Sequence, residues 1–95
     1  MKNTQTGKEY KLSDFEKFEV FHDKGYNGVH ILAWLKESDG NLNAFILVAK
    51  ENRKICRQIK SIAESKNPEL YKRIAWRDVR DKIIVLPEEL GEVRA

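Results

Sequence analysis

From Glu16 to His22 apolar and polar side chains alternate, with Phe18, Val20 and His22 on one side and Lys17, Glu19 and Phe21 on the other. That is the period of a β-strand. Asp23 to Gly28 has the glycine and asparagine content of a turn, and Val29 to Lys36 supplies β-branched and aromatic residues for a second strand. Asp39-Gly40 then stands between two apolar runs, a strong hairpin signal because both central positions of a type I′ turn need positive φ. A third strand is expected over Leu42 to Ala49. With a two-residue loop, Trp34 would oppose Phe45, Leu35 would oppose Ala44 and Ala33 would oppose Ile46. One face would then carry Ile31, Ala33, Leu35, Ala44, Ile46 and Val48; the other would carry Leu32, Trp34, Phe45 and Leu47, with His30 at its end. Both faces are apolar, so each is expected to pack against something. Helices would cover one, and a further element or a second copy of the chain would cover the other through Leu32, Trp34, Phe45 and Leu47.

At Lys50 the period changes. Ile55, Ile59 and Ile62 recur at helical spacing beside Cys56 and Ala63. Ser65-Lys66-Asn67 leads into a second helix, with Asn67 as N-cap, Pro68 in the first helical position and Glu69 favourable to the helix dipole. This helix is predicted to run from Pro68 to about Lys82, and Ile83 to Leu86, closed by Pro87, reads as a short fourth strand. Residues 1–14 are expected to form a loose arm, and residues 88–95 a mobile tail that opens with a single helical turn. The prediction is one α+β domain over residues 1–95, of order β-β-β-α-α-β: a three-stranded antiparallel meander, two helices on one face and a short C-terminal strand.

Charge alters this picture more than composition does. The net charge of +3 conceals an asymmetry: residues 50–82 hold eleven of the eighteen Lys and Arg against five acidic residues, while residues 1–49 hold six against seven. A field of that sign raises the odds of an acidic partner. The longest apolar runs are too short to cross a bilayer. The polar stretch Met1 to Tyr10 is not that of a secretory signal peptide, and a single cysteine, Cys56, fits a reducing compartment; cytoplasm is the expectation.

The basic residues fall in patterns. Arg53, Arg57 and Lys60 share one side of the first helix. Arg73, Arg77 and Arg80 recur at spacings of four and three on the second, with Trp76 at their border. Arginine forks grip phosphate oxygens in pairs and an indole can stack on a base, so these seven residues form the candidate nucleic-acid site. Against this, Asp78 and Asp81 could neutralise the second stripe, and charged helical faces are usually only solvated. The short connection between the helices also resembles that of a helix-turn-helix, although the first helix is long for that motif. Trp34 and Phe45, joined by Phe21, could stack single-stranded bases, but Leu32 and Leu47 beside them fit a core or a subunit interface better.

Catalysis finds little support. His22 and His30 are expected on opposite faces, which disfavours a shared metal; Cys56 lies on the apolar side of its helix, where a buried inert thiol is the commoner case. Glu64-Ser65-Lys66 matches a short nuclease string but ends a helix where that chemistry needs a strand. No phosphate loop or nucleophile elbow is present. The sequence therefore points to a small non-enzymatic nucleic-acid-binding module, without a cofactor or metal. DNA and RNA are not distinguished. The alternative is a protein-protein adaptor or inhibitor that docks an acidic protein surface, possible as a homodimer through its sheet.

Overall fold

The computed structural model describes residues 8–23, 28–73 and 82–91. The architecture is the expected α+β one. Strands β1 (Phe15–Asp23), β2 (Gly28–Lys36) and β3 (Leu42–Ile46) precede α1 (Arg53–Lys66) and α2 (Pro68–Arg73), and β4 (Ile83–Val85) returns to the sheet. The four strands lie in the order β3-β2-β1-β4, and every neighbouring pair is antiparallel. β1 is therefore central, and β4 borders it on the side away from β2.

The alternation read in β1 holds. Phe18 and Val20 are fully buried opposite Ala33 and Ile31, while Lys17 and Phe21 belong to the outer face. A register shift between Phe15 and Lys17 admits one extra residue, which brings Phe15 to the same side as Phe18, with ring centroids 5.3 Å apart. Tyr10 joins this cluster through Phe15 and Phe45, at 5.9 and 6.1 Å, and Leu12–Asp14 form a 3-10 turn. The expected loose arm is thus tied to the core from Tyr10 onward.

The hairpin register departs from expectation by one residue. Gly40 donates to the Glu37 carbonyl and Glu37 donates to the Asn41 carbonyl, so the loop is Ser38-Asp39-Gly40 with Gly40 at positive φ (+87°). A three-residue loop of this kind replaces the type I′ turn, and the Asp39 carboxylate steadies it by accepting from the backbone and side chain of Asn41. Ala33 now opposes Phe45, Trp34 opposes Ala44 and Leu35 opposes Asn43. A slip of one residue transfers every β3 side chain to the other face. Phe45 and Leu47 turn toward the core, and Ala44 and Ile46 join Leu32 and Trp34 outside. β3 also stops at Ile46, three residues before the expected end.

Residues 48–52 form a turn closed by the Val48 carbonyl, which accepts from the backbone N–H groups of Glu51 and Asn52, and α1 begins at Arg53 rather than Lys50. α1 lays Cys56, Ile59 and Ala63 on the sheet, and Leu70 and Tyr71 of α2 pack against the same core. Asn67 is the N-cap the sequence indicates. Its Oδ1 accepts from the Leu70 N–H at 3.0 Å and its carbonyl from the Tyr71 N–H at 2.9 Å, so a single residue separates the helices. Pro87–Leu90 make one 3-10 turn and Leu90 is buried in the core, so no tail begins at Glu88. Lys66 clamps this turn: its Nζ lies 2.8 Å from both the Ile84 carbonyl and a Glu89 carboxylate oxygen. No helix among the described residues is long and apolar enough to cross a membrane.

Candidate nucleic-acid interface

α1 has an apolar side and a basic side because its two residue classes share one helical period. The buried line of Cys56, Ile59 and Ala63 fixes the rotation of the helix, which leaves Arg53, Lys54, Arg57 and Ser61 exposed to solvent. Arg53, Arg57 and Lys60, at spacings of four and three, share one stripe. Lys60 is its inner member, half-buried beside Cys56; Lys50 extends the charge into the preceding turn. Together Arg53, Lys54, Arg57, Gln58 and Ser61 line a shallow depression in which every side chain is a hydrogen-bond donor.

The pairing of this stripe differs from that of the lysines on and beside the sheet and of Lys66, although Lys11 and Lys72 likewise have no carboxylate partner among the described residues. Lys17 and Lys82 pair with Glu19 at 3.6 and 3.1 Å, Lys36 with Glu16 at 3.2 Å and Lys66 with Glu89 at 2.8 Å. Lys50, Arg53, Lys54, Arg57 and Lys60 have no carboxylate partner among the described residues. The first turn of α1 contains no acidic residue although the helix dipole favours one there, so side-chain charge and dipole both present positive potential at this end.

Three of the seven residues in the expected site are thereby placed together: Arg53, Arg57 and Lys60. Arg73 is the last described residue of α2. Trp76, Arg77 and Arg80, with the remainder of the expected second helix, lie outside the described residues. Lys54, exposed beside them, lines the same depression as Arg53 and Arg57.

The outer face of the sheet holds a second cluster. Of the expected interface, Leu32 and Trp34 are on this face, half-buried; Phe45 and Leu47 are not, for the register reason given above. With Phe45 packed on Tyr10 and Phe15, no stacking platform forms between it and Trp34. Instead, the Lys17 ammonium sits 5.4 Å from the Trp34 ring centroid. Glu19 points to the same face yet is only 3% exposed. Burial alone would raise its pKa, but the Trp34 indole N–H, Lys82 and Lys17 outweigh that and hold the carboxyl below its ordinary value. The indole N–H acts here as an oriented dipole, because it is buried without meeting hydrogen-bond geometry. Alternation in the sequence puts Glu19 on this face but carries no sign of its burial.

The backbone register pairs His30 with Phe21 and His22 with Val29. No group of three potential metal ligands occurs among the described residues. Cys56 is buried, with its thiol 3.8 Å from the Leu47 carbonyl; burial pushes its pKa up, against a weaker opposing pull from Lys60. Glu64-Ser65-Lys66 is the C-terminal end of α1, with Lys66 committed to Glu89. No protein-family model, curated protein or solved structure matches the chain.

Proposed function

We propose that the chain is a nucleic-acid-binding module that grips the phosphate backbone with the exposed side of α1. The observation that carries this reading is the contrast in pairing. Among the described residues Lys17, Lys36, Lys66 and Lys82 are matched by carboxylates, whereas the stripe of Arg53, Lys54 and Arg57, with Lys50 and Lys60 at its borders, is not. Four such cations on one rigid helix, with Lys50 in the turn before it, suit a ligand with charge repeated along a strand, and the two arginines among them can hold phosphate oxygens in pairs. Phosphate contacts fix position without reading sequence, so binding should be broadly indifferent to sequence. The charge-reversed variant Arg53→Glu/Arg57→Glu should bind labelled oligonucleotides of any sequence more weakly while keeping the wild-type circular dichroism spectrum. Unchanged affinity in that folded variant would reject the reading.

A second reading, homodimerisation through the outer sheet face, has its own support. Leu42 and Ile46 are 40% and 41% exposed on β3, and they continue the half-buried apolar surface of Leu32 and Trp34. Sedimentation of Ile46→Lys beside the wild type tests it: a dimer that becomes a monomer favours this reading, and a wild-type monomer at high concentration removes it.

A further inference from the structure

Just beyond the end of β3, past Leu47 whose N–H still donates to the Ile31 carbonyl at 2.7 Å, a cavity of about 400 Å³ opens between the edge of the sheet and α1. This size is within the range of small-molecule sites. Val29, Ile31 and Leu47 form its wall on the helix side, and Ile46 and Val48 close it from the other. Its lining is almost wholly aliphatic. The exceptions are His30, the Cys56 thiol and Lys60, and Lys60 brings the only ammonium among the described lining residues. Lys60 is half-buried and has no anionic partner among the described residues.

We infer that this cavity binds a small apolar carboxylate, its hydrocarbon part lying against Val29, Ile31, Ile46 and Leu47 and its carboxylate on the Lys60 ammonium. A phosphate ester fits less well. It carries more charge and wants several convergent donors, whereas the cavity offers one point charge and an aliphatic surface. A neutral hydrocarbon would leave the ammonium unbalanced; a single carboxylate satisfies it while the chain replaces water along the wall. The site overlaps the stripe proposed to hold nucleic acid at Lys60 alone.

The test is a titration of the ¹⁵N-labelled protein with octanoate, kept below its micellar concentration, and in parallel with octanol as a neutral probe of equal chain length. Octanoate should give saturable amide shifts confined to residues 29–31, 46–49 and 56–60, and should bind about tenfold or more tightly than octanol, as expected for a charge-assisted contact. Lys60→Gln should bring octanoate down to the octanol level and leave octanol unchanged, with the spectrum itself reporting that the variant is folded. Arg53→Glu/Arg57→Glu should bind octanoate like the wild type, so loss of the nucleic-acid reading would not remove this one. Scattered or non-saturating shifts, equal binding of acid and alcohol, or an unaltered octanoate affinity in Lys60→Gln would each overturn the inference.

Discussion

Glu19 shows how much a single residue can hold in a small domain. A carboxylate 3% exposed on the outer face of a sheet is tolerated because Lys82 and Lys17 flank it and the Trp34 indole is turned toward it. Glu89 is held low in a different way: the Leu86 N–H donates to it at 2.8 Å and Lys66 pairs with it. Both carboxyls thus have folded-state pKa values below the ordinary 4.5. Groups of this kind contribute stability that is fully present above the unfolded-state value and drains away as the pH falls through the folded one. Urea midpoints of the wild type should therefore hold steady near neutrality and decline in acid below the ordinary carboxyl range. Glu19→Gln should start lower at neutral pH and decline less, the two curves converging in acid; parallel curves would contradict this role for Glu19. At another single position, Asn67→Ala removes the side-chain cap of α2 and should cost about 1 kcal/mol in urea unfolding.

At the scale of elements, the helix α1 and the hairpin behave differently under substitution. Ile59 is fully buried between α1 and the sheet, and Ile59→Ala should destabilise the domain by about 2–5 kcal/mol through lost burial and the cavity left behind. Gly40 at φ +87° has no atom within 4 Å of where a Cβ would stand, so Gly40→Ala meets only the backbone penalty, about 1–2 kcal/mol. Equilibrium unfolding measures both, and a larger loss for the glycine than for the isoleucine would reverse the argument. The same two elements mark how far the sequence alone could be read. Strand and helix periods were legible, as were the Asn67-Pro68 start and the order of elements, because each is written locally in side-chain alternation and capping. The register of β3 was not. Asp39-Gly40 is compatible with loops of two or three residues, and that choice rests on whether Asp39 joins Gly40 at positive φ. Taking two residues moves Phe45 and Leu47 to the wrong face and invents an aromatic pair with Trp34. The basic stripe of α1 was legible in its spacing. Its lack of carboxylate partners among the described residues was not, because ion pairs such as Lys66 with Glu89 join residues far apart in the chain.

For the whole molecule, the sheet faces and the helix layer divide the surface by chemistry. The outer face of the sheet offers aromatic and aliphatic side chains around a Glu19 paired with Lys17 and Lys82, the helix side offers cations with no carboxylate partner among the described residues, and the cavity at the end of β3 lies between the two. Unmatched cations on a rigid scaffold store unfavourable self-repulsion that a polyanion relieves while releasing its own condensed counterions. The measurement that tests this most directly is the salt dependence of oligonucleotide binding, by fluorescence anisotropy, for the wild type and for Arg53→Glu/Arg57→Glu. The wild-type affinity should fall linearly on a log-log plot against salt, by roughly 0.9 for each phosphate contacted on a duplex, and the variant's slope should be shallower by about two. A wild-type affinity that ignores salt, or a variant with the wild-type slope, would contradict a phosphate-gripping α1.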